Sequence, residues 1–405
     1  MRKRILTAAL AFVLFWLCAA QTEAAQFMED GYMLYEPDEV PTAEEAPTDG
    51  LPVTVRAKAA VLMDQTSGQI LLEMNSREKL YPASVTKIMA LLLVAEAIDG
   101  GKLGLDDTVT TSTNAASKGG SQIWLKEGET MSVRDLLKAT AVYSANDACT
   151  ALGEQIAGGS EAFADMMNER ARELGMRDTH FVNCTGLDDD TTEHLTSAYD
   201  VALMSRELLT HEWITEFTTI WMDSVRGGET ELVNTNKLVR FYEGTTGLKT
   251  GTTNKAGCCV SASAKRGQTH LIAVVMGSNN SADRFEGAKA LLSWGFANYE
   301  TIRPQIDTSR VTRVRVLHGV RDSIVPQAPQ TLPVLIPKGR AHDVTQKIDV
   351  ALDVQAPVEK GQKLGTIRLQ FGDQTLGEFM LTSPESVAAL TFSVVLRRLL
   401  GVFAK

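Results

Sequence analysis

The sequence is poor in the residues that several common chemistries require. Five cysteines in 405 residues are too few for a disulfide scaffold. Six histidines and no paired-cysteine spacing offer no support for a metal site, and no H-E-x-x-H pattern indicates zinc hydrolysis. No G-x-S-x-G turn and no phosphate-binding G-x-x-x-x-G-K occurs. We therefore expect an activity that uses neither a metal nor another cofactor.

A basic surface is also missing. The chain has 40 Lys and Arg against 50 Asp and Glu, a formal net charge of −10. Because phosphate backbones are bound by positive surfaces, nucleic acid is not an expected partner. Hydrophobic residues make up 44% of the chain, as in globular proteins, and its length predicts two or three domains.

The amino-terminal segment has the layout of a secretory signal peptide. A basic cluster at residues 2–4 precedes an apolar run from Ile5 to about Ala20, and small residues follow. We predict a signal peptide over 1–25, with an uncleaved membrane anchor as the alternative. Residues 26–56 have eight acidic side chains and four prolines, which is typical of a solvated linker. The mature protein is therefore expected to be secreted across the cytoplasmic membrane.

The carboxyl-terminal segment is predicted to form an amphipathic helix over 385–405. Its apolar residues fall on one broad helical face: Phe392, Val395, Leu396, Leu399, Val402 and Phe403. Such a helix is typical of a segment lying at a membrane surface, and the alternative is a helix docked on its own domain.

The chain between these ends divides into two parts. Over 57–303, apolar spacing predicts helices at 84–98, 146–157, 160–174, 197–210 and 284–296, and strands at 59–63, 69–73, 246–252, 257–264 and 269–277. Over 304–384, short alternating runs punctuated by Pro and Gly predict a small all-β domain. We expect a mixed α/β domain followed by an all-β domain.

Serine chemistry assisted by lysine is the main candidate that remains. Residues 84–87 read Ser-Val-Thr-Lys and begin an apolar helix, so Ser84 and Lys87 lie one turn apart on the same face. The start of a helix also offers free N–H groups and positive potential to a developing oxyanion. The same S-x-x-K pattern occurs at 76–79, in a polar stretch. The alternative reading is a helix-capping serine and a solvated lysine.

Two further motifs follow in order. Residues 144–146 read Ser-Ala-Asn between two predicted helices, and further S-x-N copies begin at Ser112 and Ser278, so a capped polar loop is the alternative. Residues 249–251 read Lys-Thr-Gly inside a predicted strand. A strand lysine can bind a carboxylate, and glycine permits close approach of another backbone. The alternative is an exposed edge lysine that prevents aggregation.

Together these motifs are those of penicillin-binding proteins and class A β-lactamases. The chain resembles the serine-type D-alanyl-D-alanine carboxypeptidases, the low-molecular-mass penicillin-binding proteins, over nearly all of its mature length. The resemblance includes residues 81–87, 120–121, 143–148, 183–187, 196–200, 234–237, 247–251 and 336–339. It implies an antiparallel sheet flanked by helices, with the all-β domain behind it, and acyl transfer through a serine ester.

The resemblance also implies roles for the motif residues. Ser84 would be the nucleophile and Lys87 its general base, kept neutral by burial and by the ammonium of Lys249. Ser144 would relay the proton to the leaving amine, and Asn146 would position the substrate amide.

The third motif would bind the substrate. Lys249 and Thr250 would hold its terminal carboxylate, with room provided by Gly251. Arg284 would assist, its alternative being a surface charge at a helix start. The backbone N–H groups of Ser84 and Thr252 would form the oxyanion hole.

The implied substrate is the D-Ala-D-Ala end of peptidoglycan stem peptides, with penicillins as acylating mimics. A β-lactamase is the nearest rival. It would need a glutamate that positions a water molecule for rapid hydrolysis of the penicilloyl ester. Glu193 is the only glutamate in the loop 183–194, and nothing in the sequence places it at the required point. An endopeptidase that cleaves peptidoglycan cross-links remains an alternative function. A wall-binding protein without activity is disfavoured by the intact motifs. The sequence does not decide whether Cys149 and Cys184 form a disulfide bond.

Overall fold

The structure is a computed structural model that describes residues 50–188, 190–329 and 331–396. The predicted signal peptide, most of the acidic linker and residues 397–405 of the predicted carboxyl-terminal helix lie outside these ranges.

An antiparallel sheet of five strands organises the first part of the fold, in the order β2-β1-β9-β8-β7. Two short strand pairs, β3 with β4 and β5 with β6, lie apart from it. The strands are β1 (Ala59–Asp64), β2 (Ile70–Met74), β3 (Thr108–Thr110), β4 (Thr130–Ser132), β5 (Met222–Val225), β6 (Thr230–Val233), β7 (Thr245–Thr253), β8 (Gly257–Arg266) and β9 (Thr269–Ser278). The predicted strands are thus confirmed, each within two residues at either end.

Helices pack on both faces of this sheet. They are α1 (Lys87–Asp99), α2 (Thr113–Ala116), α3 (Val133–Lys138), α4 (Asn146–Ala157), α5 (Ser160–Glu173), α6 (Ala198–Leu208), α7 (Thr215–Thr218), α8 (Leu238–Phe241) and α9 (Ser281–Asn298). Alternate residues of β1 enter two cores, so that Val61 packs with the helical layer around α1 while Leu62 packs with α9. This arrangement agrees with the fold class expected from the sequence.

The helix α1 is surrounded by protein on almost every side. Ten of its thirteen residues are buried, including Lys87 at its first position. A helix that is apolar all round is a central one, and the run from Ile88 to Ala95 is apolar throughout. The sequence therefore places an ionisable side chain at the end of a core helix.

The start of this helix differs from the prediction. The α-helix begins at Lys87, and a 3₁₀ turn over Ala83–Thr86 precedes it. Ala83 has a positive φ of 48°, outside the right-handed helical region, and the N–H of Val85 donates to Pro82 O in the tighter i to i+3 pattern. Ser84 therefore lies on a turn in front of the helix.

The second part of the fold is built from short strands, which confirms the all-β prediction. Its described residues form a pair β10-β13 and two three-stranded sheets, β12-β11-β15 and β14-β16-β17. The strands are β10 (Tyr299–Ile302), β11 (Val314–Leu317), β12 (Ser323–Ile324), β13 (Val334–Pro337), β14 (Val344–Val350), β15 (Asp353–Gln355), β16 (Lys363–Phe371) and β17 (Gln374–Thr382).

The helix predicted over 385–405 begins later than expected. Val387 is buried and pairs with Val358, and Ala389 pairs with Gly319, so this stretch is held by the all-β part. Residues 392–396 are helical. Within the described part of the chain, no helix combines the length and the apolar character needed to cross a bilayer.

Candidate active site

The edge strand β7 runs directly against the turn that bears Ser84. A Cβ atom at Gly251 would lie 2.8 Å from both Ser84 N and Pro82 O. Real Cβ atoms do not approach backbone that closely, so only glycine lets the strand come within contact distance. The first and third motifs therefore meet through Gly251.

Three oxygen atoms surround the amine of Lys87. Its Nζ lies 2.9 Å from Ser84 Oγ, 2.6 Å from Asn146 Oδ1 and 2.7 Å from the carbonyl oxygen of Thr185. The side chain is 0% exposed. The first and second motifs are thus joined by one buried amine.

Burial disfavours the charged forms of both motif lysines. It lowers the pKa of Lys87 to about 8, although Cys149, Cys184 and Asp147 act in the opposite direction. The pKa of Lys249 lies well below its ordinary value because of burial, with further lowering from Lys87 and Arg284. The expected repulsion between the two lysines thus acts on Lys249, whereas burial accounts for the low pKa of Lys87.

The second motif sits where a helix is interrupted. A π-helical turn over Ala139–Tyr143 ends at Ser144, whose φ of 68° is left-handed, and α4 then begins at Asn146. π-Turns of this kind recur at functional sites. Ser144 is buried, and no residue within the described ranges is hydrogen-bonded to its hydroxyl.

The amide of Asn146 is engaged on both sides by the protein. Its oxygen accepts from Lys87, and its Nδ2 donates to Gly119 O at 2.7 Å. The geometry therefore gives Asn146 a role in holding the lysine, and the contact with the substrate amide implied by the resemblance stays a prediction.

The third motif is tied to the second by a threonine to which the sequence assigned no role. Thr250 Oγ1 donates to Thr235 Oγ1 at 2.7 Å, and Thr235 N donates to Val142 O at 3.1 Å. Lys249, 1% exposed, donates from Nζ to Thr250 O at 3.1 Å. These bonds fix the distance between the strand and the Ser144 turn.

Arg284 supports the strand from behind. Its guanidinium donates to Gly251 O at 3.0 Å, to Thr252 Oγ1 at 2.9 Å and to Cys259 O at 3.3 Å. It is buried, which excludes the alternative of a surface charge. Its bonds position Gly251 and Thr252, and the help in binding the carboxylate implied by the resemblance stays a prediction.

The competing motif copies have structural roles. Ser76 donates to Glu73, and Ser112 caps α2 by accepting from Ala115 N. In the copy that begins at Ser278, Asn280 caps α9. Glu193 is exposed on its loop. None of these three serines is hydrogen-bonded to a lysine in the described part of the chain.

Two further residues contribute to the site, although the sequence assigned them no role. Gly186 lies so near the nucleophile turn that a Cβ would fall 1.8 Å from Ala83 O. His194 Nδ1 accepts from Val182 N at 3.0 Å, so its Nε2–H faces Thr86 Oγ1 at 2.8 Å. Burial, with the charges of His180 and Lys87, lowers the pKa of His194 to about 4. A neutral histidine thus ties the turn to the 182–194 loop.

The four cysteines in the described chain are buried and free. Cys149 donates to the carbonyl of Cys184 at 3.4 Å. The bridge left open by the sequence is therefore not formed. Cys258 and Cys259 are small core residues of β8, as expected.

We predict that Gly251→Ala will lower acylation of Ser84 strongly, because the new methyl group would push against Ser84 N and Pro82 O. Overpacking of this kind costs about 1–3 kcal/mol. Gly159→Ala is the matched control, since a Cβ at Gly159 meets nothing within 4 Å. Labelling rate by a fluorescent penicillin is the measurement, and equal rates in the two variants would contradict the close approach.

Family models and curated relatives match most of the chain. A family model described as D-alanyl-D-alanine carboxypeptidase matches residues 42–280. A second model, for the C-terminal domain of penicillin-binding protein 5, matches residues 299–389. The D-alanyl-D-alanine carboxypeptidase DacF of Bacillus subtilis is 41% identical over 353 residues, which cover 86% of this chain and 90% of the relative.

Solved structures show the same likeness. Penicillin-binding protein 5 of Haemophilus influenzae superposes with a TM-score of 0.72 at 30% identity, covering 84% of this chain and 99% of that one. Penicillin-binding protein D2 of Listeria monocytogenes, solved in an ampicillin-bound form, has a TM-score of 0.56 at 32% identity and covers 61% of this chain and 99% of its own. This chain belongs to the D-alanyl-D-alanine carboxypeptidase family.

Proposed function

We propose that Ser84, activated by Lys87, carries the serine D-alanyl-D-alanine carboxypeptidase activity of this protein. Enzymes of this kind remove the terminal D-alanine from peptidoglycan stem peptides. The observation that carries the assignment is the set of three short contacts around the Lys87 amine.

A neutral amine fits these contacts. It has two N–H donors and one lone pair, and the oxygens of Asn146 and Thr185 can only accept. When both N–H groups point at those oxygens, the lone pair faces the Ser84 hydroxyl. The low pKa of Lys87 makes this form accessible near neutral pH. Lys87 is then placed to take the hydroxyl proton.

The reaction proceeds in two transfers. Ser84 Oγ attacks the carbonyl carbon of the D-Ala-D-Ala bond while its proton moves to Lys87 Nζ. The C–N bond breaks, and the amine of the departing D-alanine takes a proton that Ser144 passes from Lys87. Water then cleaves the serine ester and restores the enzyme.

The negative charges of the substrate meet two different groups. The terminal carboxylate binds Lys249 and Thr250, and its charge offsets burial so that Lys249 regains its ammonium. That ammonium in turn disfavours a proton on Lys87. The oxyanion is held by the backbone N–H groups of Ser84 and Thr252, and Arg284 keeps Thr252 in position.

Penicillins are expected to acylate Ser84, as the ampicillin-bound relative suggests. Rapid hydrolysis of that ester by a glutamate-positioned water is disfavoured, because Glu193 is exposed. The chain is therefore proposed to be inhibited by β-lactams.

The test compares three substrates with purified enzyme: a stem pentapeptide, a cross-linked muropeptide dimer and benzylpenicillin. The proposal expects release of D-alanine from the pentapeptide to be fastest. Faster cleavage of the dimer would make the protein an endopeptidase, and faster turnover of penicillin would make it a β-lactamase.

The remaining segments are proposed to place the enzyme outside the cytoplasm and at the membrane surface. Residues 1–25 would direct export, and 26–56 would be a solvated acidic linker that precedes the catalytic domain over 57–303. The all-β domain over 304–384 would orient that domain, and residues 385–405 would lie on the membrane surface. In support, Phe392 is 82% exposed on the helical stretch 392–396.

We predict that a chain ending at Leu390 will leave the membrane fraction and keep its activity. This end point retains Val387 and Ala389, which pair with the all-β part. The measurement is fractionation of cells that express either form, and a truncated chain that stays with the membrane would contradict the anchoring role.

A further inference from the structure

Trp124 combines two features that a folded protein normally avoids. Its φ is 60°, a left-handed conformation that is unusual for a bulky residue. Its side chain is also 73% exposed, so the indole contributes little to the core. A strained backbone persists only where its surroundings enforce it, and such sites are often functional.

A buried carboxylate and a guanidinium enforce this conformation. Asp147, 0% exposed, accepts from Ile123 N at 3.2 Å and from Leu125 N at 3.0 Å, the residues on either side of Trp124. From the other side, Arg226 donates to Ile123 O at 2.7 Å and to Trp124 O at 3.5 Å. Arg226 is itself held by Glu129 at 2.6 Å.

The segment held by Asp147 and Arg226, residues 123–125, is continuous with residues that contact the catalytic machinery. The N–H of Asn146 donates to Ser121 O at 2.6 Å, and its side chain donates to Gly119 O. Asp147, which holds Trp124, follows Asn146 directly in the chain. Trp124 is three residues from Ser121, so it lies within about 10 Å of that contact along the chain.

We propose that Trp124 is a binding surface for the stem-peptide residue that precedes D-Ala-D-Ala, and that it selects a residue with a long aliphatic side chain ending in an ammonium. This inference rests on the proposed function. An extended peptide advances about 3.3–3.6 Å per residue, so the residue that precedes D-Ala-D-Ala lies within about two residues' length of the reacting bond.

The chemistry of indole fits such a side chain. Its flat face offers apolar area to the methylene groups, and tryptophan is the strongest aromatic partner of a cation. Trp124 is largely free to make this contact because its side chain is exposed, while its backbone is fixed beforehand. Little conformational entropy would therefore be lost on binding.

The test measures kcat/KM for two peptides, acetyl-Lys-D-Ala-D-Ala and acetyl-Ala-D-Ala-D-Ala, with the wild type, Trp124→Phe and Trp124→Gly. We expect the wild type to prefer the lysine peptide. The preference should fall about tenfold in Trp124→Gly, mainly through KM, and less in Trp124→Phe. An Nε-acetylated lysine peptide keeps the methylene groups but lacks the ammonium, so it separates their contributions to kcat/KM.

Glycine at this position also tests a purely structural role. Because glycine accepts positive φ without strain, Trp124→Gly should melt at the same or a higher temperature than the wild type. A lower melting temperature, together with equal losses of kcat/KM on both peptides, would show that Trp124 only supports the local fold. An unchanged preference would overturn the inference alone, whereas a wild type that cleaves neither peptide would overturn the proposed function.

Discussion

Replacing Ser84 by alanine is expected to abolish turnover. Removal of the nucleophile in a serine hydrolase lowers kcat on the order of 10⁴- to 10⁶-fold. Of the three oxygens that contact the Lys87 amine in the described residues, only the hydroxyl can donate a proton to it, since Asn146 Oδ1 and Thr185 O are acceptors. Fold and peptide binding should survive, because Ser84 is only half-buried and alanine suits a 3₁₀ turn.

Ser76→Ala is the matched control for this prediction. Ser76 belongs to the other S-x-x-K copy but is bonded to Glu73. The measurements are release of D-alanine and melting temperature in both variants. Residual activity of Ser84→Ala near the wild-type rate, or loss of activity in Ser76→Ala at unchanged stability, would place the nucleophile elsewhere.

Replacing Lys87 is expected to lower the acylation rate by about 10²- to 10⁴-fold, the usual contribution of a general base. Two substitutions separate the possible roles. Lys87→Met keeps much of the buried volume and lacks the amine, while Lys87→Arg keeps a cation that cannot lose its proton. Both should be slow if Lys87 acts as a base, and Lys102→Ala, at an exposed lysine, should behave as the wild type.

The pH dependence follows from the pKa of Lys87, which burial lowers to about 8. A base works when deprotonated, so the acylation rate should rise with pH, reach half of its maximum near pH 8 and level off above that pH. The rate is measured in single turnovers at saturating substrate, where the carboxylate keeps Lys249 charged. A rate that falls over pH 6–8, or full activity of Lys87→Arg, would contradict the base assignment.

The sequence predicted this site well wherever side chains carried the signal. The spacing of Ser84 and Lys87 required their contact, and Lys-Thr-Gly on a strand predicted the approach that Gly251 permits. The five longest helices also followed from apolar spacing, whereas the short helices α2, α7 and α8 were not predicted.

Contacts made by backbone atoms were beyond the sequence. A carbonyl such as that of Thr185 belongs to every residue type, so its bond to Lys87 has no signature. The left-handed Ser144 and the 3₁₀ turn at Ser84 depend on tertiary packing, which local propensity does not encode. The bonds of Arg284 to Gly251 and Thr252 likewise depend on the fold of β7, so the sequence could not show them.

The central claim is that Ser84 forms a covalent acyl-enzyme. Mass spectrometry of enzyme quenched during reaction with benzylpenicillin, followed by digestion, tests it most directly. We expect a single added penicilloyl group on the peptide that contains Ser84, and none in Ser84→Ala. An adduct on Ser144 or another residue, or continued D-alanine release without any adduct, would contradict the account.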